Sequence, residues 1–391
     1  MPEGNFQMDK LVYLYYPILI ALFLWGAKFC KKGEFNEEFM SITQTKYLQG
    51  FFAIIIMFHH LGQKTCASWL NPVYIVHGLD LFVPIGYYCV GIFLLCSGFG
   101  LYKSYMLKEN YLDGFIKKRI LPVILAFYST GLIFLIVRAL MGQKMKVGQV
   151  LCYIIGVPQP NPNTWFVIAL PLFYLAFYFS FKYIKNKDTA LITTCAAIFV
   201  YTFIGTTINH NDWFMCGEWW YNSVHFFSLG LIFARFEEKI VAHVKKHYKL
   251  YMILTFVLMF AFYFLSQLTQ GVFSYYGQYG FRPHRQVVWF RWICLVSQML
   301  ASCAFVFFMF MLTMKVAIGN KILKFMGGIT LEFYLIHGLY VDLFGYSFLD
   351  ITPPLYYIKN VFLMVLVVTT LSVPSAILLQ KFHNFVLKKK N

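Results

Sequence analysis

The sequence predicts an all-α fold, a polytopic bundle of about eleven transmembrane helices. Three observations carry that reading. The chain of 391 residues is 60% hydrophobic and only 13% charged, with a mean hydropathy of +0.63. A soluble domain carries about 25% charged residues. The apolar residues come in runs of about twenty, the length that crosses a bilayer as a helix. Lys and Arg gather in alternate loops between those runs, as expected of a chain that crosses repeatedly with its basic loops on one side.

The runs are 11–29, 48–66, 81–104, 120–140, 165–183, 190–208, 219–236, 249–268, 289–314, 329–348 and 358–380. The stretch "VGQVLCYIIG" (147–156) is too short to cross and is expected at an interface or as a re-entrant piece. Glu3 and Asp9 precede the first run, where a cleavable leader would have basic residues, so that run is expected to stay as a span. Basic clusters fall around Lys28–Lys32, Lys103–Arg119, Lys182–Lys187, Arg235–Lys249, Lys315–Lys324 and Lys388–Lys390. The positive-inside rule then places the N-terminus outside and the C-terminus in the cytoplasm; a bacterial plasma membrane is the expected location, which the loop charges do not themselves show. The net charge of +17 is read as topology, and no nucleic-acid partner is expected. The nine Cys lie mostly inside apolar runs without CxxC spacing, so no metal site is expected and they read as small packing residues.

Within this apolar background the intramembrane polar residues stand out. His59 and His60 close the run "FFAIIIMFHH". His60 lies about 20 Å along its helix from the cytoplasmic end, in the outer half of a core about 30 Å thick. Eleven residues make about three turns, so Gln49 and His60 share one stripe, with Lys46 close to it. His59 faces elsewhere, either orienting His60 or bonding a neighbouring helix. His337, on a span that also enters beside a basic loop, reaches a similar depth. Glu332 is an acid inside the membrane and a functional candidate by default. His225 lies in the outer part of its own span.

Five stretches, in order, resemble the integral-membrane acyltransferase family 3. "YLQGFFAIIIMFHH" (47–60) resembles its first motif, Arg, ten residues, His, with His60 at the His and Gln49 at the Arg position. "GIFLLCSGFGLY" (91–102), "FIKKRILPVI" (115–124), "NTWFVIALPLFYLAFY" (163–178) and "GGITLEFYLIHG" (327–338) resemble its later motifs. In the second of these five Gly91 stands where many members have Asp, and in the fourth Leu170 and Pro171 stand where many have an acid. The resemblance covers about 45–380. It implies a ten-helix acyltransferase-like core at 45–391, preceded by one extra span and a loop at 1–44.

The resemblance further implies transfer of an acyl group, usually acetyl, from cytoplasmic acyl-CoA to a hydroxyl of an extracytoplasmic or lipid-linked glycan. Imidazole suits that chemistry as base or acyl carrier. His60 is therefore expected to be catalytic, with His59, His337 and Glu332 beside it. Lys46, Gln49, Ser97, Gly98, Gly100, Lys118 and Arg119 are expected to meet the acyl-CoA. Trp165, Tyr174, His225, Glu218 and Tyr334 are expected to meet the glycan. Apart from the resemblance, Tyr275, Tyr276 and Tyr279 in the Tyr-rich loop at 270–286 read equally as sugar-stacking residues or as an interfacial aromatic belt. The expected partners are the glycan acceptor, acyl-CoA and the lipid bilayer. The alternative function is a transporter or flippase using the buried His and Glu as a proton relay. A catalytic His60 is expected to line a cavity that opens near Lys118 and Arg119.

Overall fold

The structure, a computed structural model, describes residues 10–156, 159–208, 215, 217–273, 284–345 and 356–388. Its helices in chain order are α1 (Tyr15–Leu24), α2 (Ile42–Thr65), α3 (Gly86–Leu107), α4 (Leu121–Leu140), α5 (Val147–Ile155), α6 (Trp165–Tyr183) and α7 (Lys187–Thr207). They continue with α8 (His225–Lys246), α9 (Tyr248–Phe273), α10 (His284–Thr313), α11 (Lys321–Gly328), α12 (Thr330–Phe344) and α13 (Val361–Val386). Each apolar run of the sequence thus forms a helix over most of its described part, because a backbone in hydrocarbon must satisfy its own hydrogen bonds. Strand structure among the described residues is one two-residue ladder, β1 (Lys28–Phe29) antiparallel to β2 (Val316–Ala317).

Among the described residues, seven helices are long and apolar enough to cross a membrane, or eight if the bent pair α11–α12 counts as one span. The expected count of about eleven is therefore met only in part. The first run is helical from Lys10 only to Leu24, after which Gly26, at φ +74°, turns the chain toward β1. His, Gln and Lys residues dilute the apolar content of α2. Charged residues do the same to the second half of α8, whose helix is broken at Phe236 (φ −116°, ψ 19°). The run at 329–348 is preceded by α11, which meets α12 at 84°.

At the centre α2 runs parallel to α12, from the basic-loop end of the bundle to the opposite end. Two contacts with α12, preceded by one with α11, establish it. At the basic end Gly50 lies against the backbone of Leu323 and Gly327, where any Cβ would come within 2.6 Å of the Gly327 nitrogen. In the middle His60 meets His337, and at the far end Lys64 pairs with Asp342 at 2.9 Å. Such close backbone approach between membrane helices needs small residues at the crossing. Around this pair, α3 packs on α8, α6 on α7, α9 on α10 and α13 on α12. The N-terminal segment is tied on by Tyr15, which donates to Phe362 O at 3.0 Å, and by the β1–β2 ladder.

Candidate active site

His59 and His60 open onto a cavity of about 600 Å³ at the end of the bundle opposite the basic loops. Its position follows from the termini that build it: the C-terminal turns of α2, the start of α3, the start of α6 and the turn before α8. Of the residues named from sequence, His59, His60, Trp165, Glu218 and Tyr334 line it. His337 sits immediately behind, fully buried.

The two imidazoles His60 and His337 lie almost parallel, with planes 16° apart and centroids 5.0 Å apart. Their hydrogen bonds specify a tautomer. His337 Nδ1 is 2.8 Å from the Phe333 carbonyl, one turn back on α12. A carbonyl only accepts, so this nitrogen carries the proton. In neutral His337 the Nε2 is then an acceptor. His60 Nδ1, 2.7 Å away, donates to it. His60 Nε2 is left with its lone pair on a ring that lines the cavity. The arrangement gives an oriented neutral imidazole, able to take a proton from a hydroxyl placed there.

His59 is held differently. Its Nδ1 donates to the Phe82 carbonyl at 3.0 Å, in the turn that leads into α3. It faces away from the His337 contact, as its angle on the helix requires, yet its ring still reaches the cavity wall. Glu218 lies in a short 3₁₀ turn, Glu218–Trp220, whose carbonyl accepts from the Tyr221 and Asn222 amides at 3.0 and 2.8 Å. Burial pushes its carboxyl up to about 7.

The remaining residues named from sequence lie elsewhere. Tyr174, expected at the glycan, is nine residues along α6 from Trp165, about 14 Å deeper. It bonds Ser97 at 2.9 Å instead. His225 contacts Cys303 Sγ at 3.5 Å and is outside the cavity wall. Glu332 does not join His60. It accepts from His383 Nδ1 at 3.0 Å, and His383 Nε2 meets Ser129 Oγ at 2.7 Å. Gly98 is a packing residue: a Cβ there would strike the Phe227 carbonyl, at the α3–α8 crossing. Gly100 has open space beside it. Arg119 donates to Tyr111 at 2.9 Å, and Lys118 to the Asp113 carbonyl at 3.2 Å. Lys46 is exposed and Gln49 half-buried.

None of Lys46, Gln49, Ser97, Lys118 and Arg119 lines the cavity of His60. The expected opening toward Lys118 and Arg119 is therefore not part of it. Tyr275, Tyr276 and Tyr279 lie outside the described residues.

The sequence reading missed several wall residues. Gln63 follows His60 by three positions on α2, and Asn163 precedes α6. Asn222, Gln267 and Gln298 supply further amides. Gln267 and Gln298 sit inside apolar runs, where a side-chain amide is costly unless it has a partner or faces a polar space. That was a usable signal. His383 and Ser129 were missed as the partners of Glu332, because those contacts join residues 51 and 254 positions apart.

A helical bundle with long apolar helices and an oriented histidine at a polar cavity defines the class of this protein as a multi-pass membrane protein with a buried polar cavity. The family comparison then specifies it. Residues 44–379 match the acyltransferase 3 family model, described as "Acyltransferase domain". The chain belongs to that family and is a multi-pass membrane acyltransferase. No curated protein and no solved structure matches it in the other two comparisons.

Proposed function

We propose that this protein is an O-acyltransferase. It moves an acyl group, acetyl in the first instance, from acyl-CoA to a hydroxyl of an extracytoplasmic or lipid-linked glycan. The observation that carries the reading is the His60–His337 pair, which leaves His60 Nε2 as an unprotonated acceptor at the cavity. In the reaction His60 Nε2 takes the proton of the acceptor hydroxyl as its oxygen attacks the thioester carbonyl. The C–S bond breaks, and the imidazolium returns the proton to the CoA thiolate. His337 accepts from His60 Nδ1 throughout and stabilises the imidazolium.

In this proposal the N-terminus is outside and the C-terminus cytoplasmic, with eleven crossings. The cavity then faces out, and acyl-CoA presents its thioester from the basic end. Lys118 and Arg119 suit its phosphates by charge. Lys46 is fourteen residues before His60, about 21 Å along α2. Residues 45–391 form the catalytic unit, and 1–44 add an accessory span. The test is transfer from radiolabelled acetyl-CoA to cell-envelope glycan by the protein in nanodiscs. Ester label that depends on His60 supports the reading. Equal labelling by wild type and His60→Ala removes His60 from the chemistry.

A further inference from the structure

Glu218 Oε2 and Asn222 Oδ1 are buried acceptors with no hydrogen-bond partner among the described residues. Both residues line the cavity that holds His60. They come from one turn and its continuation. The Glu218 carbonyl accepts from the Asn222 amide at 2.8 Å, and Asn222 Nδ2 donates to Gln298 Oε1 at 3.1 Å. The backbone and one side of Asn222 are thus fixed, and each of the two oxygens lacks a partner among the described residues. Buried polar atoms in folded proteins are almost always paired, so an orphaned pair in a functional cavity points to donors that arrive with a ligand.

The rest of the wall narrows the ligand. Gln63, Asn163, Gln267 and Gln270 are neutral amides, and Trp165 and Trp219 offer aromatic faces. The charged side chains of the described wall are Glu218 and Asp80, both acidic; none is Lys or Arg. Asp80 is already held by His77 at 2.6 Å and by the Gly78 amide at 2.8 Å. An acceptor that brings a carboxylate or phosphate into this wall meets Asp80, a Glu218 carboxyl already disfavoured as an anion by burial, and no Lys or Arg among the described residues, so its charge is buried without compensation. A sugar brings hydroxyl donors and apolar ring faces, which the orphaned acceptors and the aromatic side chains match.

We propose that Glu218, with Asn222, is the acceptor-reading group of this site. In this assignment they take hydrogen bonds from the hydroxyls of an uncharged sugar unit and discriminate against acidic sugars. The proposal rests on the reading of this cavity as the place where the glycan acceptor binds, not on the role of His60 in the chemistry. Its test separates the two ideas.

The full chain in nanodiscs is titrated with a methyl hexopyranoside and with the corresponding methyl hexuronide, read by tryptophan fluorescence, in the His60→Ala background so that no turnover intervenes. The hexoside is expected to bind, the hexuronide to bind at least about tenfold more weakly, and Glu218→Gln to weaken the hexoside about tenfold. Hexuronide binding as tight as hexoside binding, or a Glu218→Gln titration unchanged from its parent, overturns the assignment, as does a hexoside that produces no saturable change. Release of CoA thiol from acetyl-CoA is then measured with His60 intact. There Glu218→Gln is expected to raise KM for the hexoside about tenfold with kcat nearly unchanged. Loss of kcat at constant KM overturns an acceptor-reading role. Sugar binding without His60-dependent release leaves the recognition proposal standing and sinks the catalytic reading alone.

Discussion

Two hydrogen-bonded histidine clusters share α12, five residues apart and thus about 7.5 Å along the helix. In one, His337 accepts from His60 at 2.7 Å. In the other, Glu332 accepts from His383 at 3.0 Å and His383 meets Ser129 at 2.7 Å. By distance alone the second is the closer match to a serine–histidine–carboxylate triad. The clusters differ in what they face. His60 opens onto a cavity of about 600 Å³ with one ring nitrogen unpaired among the described residues. In the second cluster both nitrogens of His383 are paired, and the imidazole and carboxylate are buried between α12, α13 and α4. The lesson is that a buried acid or imidazole in a membrane protein marks a polar contact first. Chemistry needs, in addition, a free atom and a space for substrate.

The most damaging change to this contrast should be His60→Ala, with an expected loss of transfer of about a thousandfold and an unchanged thermal midpoint in detergent. Retained transfer would make the dyad another structural contact. Next comes His337→Leu, which removes the acceptor that orients His60. A fall in kcat of about a hundredfold at constant KM is expected. His337→Gln, whose carbonyl oxygen can still accept from His60 Nδ1, should recover part of it. If Leu and Gln behave alike, His337 does not act through that hydrogen bond.

The second cluster should answer in stability instead. Glu332→Gln and His383→Ala are each expected to cost about 1–3 kcal/mol, seen as a lower melting midpoint in nanodiscs. Transfer per folded molecule should stay near wild type. A loss comparable to that of His60→Ala would turn this clasp into a second catalytic centre and dissolve the contrast. The smallest effect is expected for His59→Asn. Its amide can still donate to the Phe82 carbonyl, so rates should change by only a few fold, on the order of one hydrogen bond of about 0.5–1.5 kcal/mol. A hundredfold loss would move His59 into the chemistry.

The helices were legible because their signal is local. The run at 165–183 became α6 with the same ends, and 249–268 became most of α9. The 84° bend before α12 was not legible, since "GGIT" looks like the entry to an uninterrupted span. Counting residues from Lys324 placed His337 at the level of His60. The agreement is real, although Lys324 lies on α11, across that bend. Tyr174 is a candidate by its place in a motif, and Glu332 by being an acid inside the membrane. Each instead found a nearer partner, Ser97 and His383. Motif order along the chain does not say which face or which depth a side chain occupies.

By itself the sequence determined the class of fold, the run of helices, the family and the most promising histidine. These follow from hydrophobicity at the length of a span and from residues close together in one motif. Only the tertiary structure decided which polar groups meet. It paired His60 with His337 across 277 positions, gave Glu332 to His383, and gathered Glu218, Trp165 and Tyr334 around one cavity. The physical reason is that a buried polar side chain gains by finding a partner, and for His60 and Glu332 that partner sits on another helix. Which helix faces it depends on small residues and bends such as Gly50 and the α11–α12 corner, whose effect appears only when the helices pack.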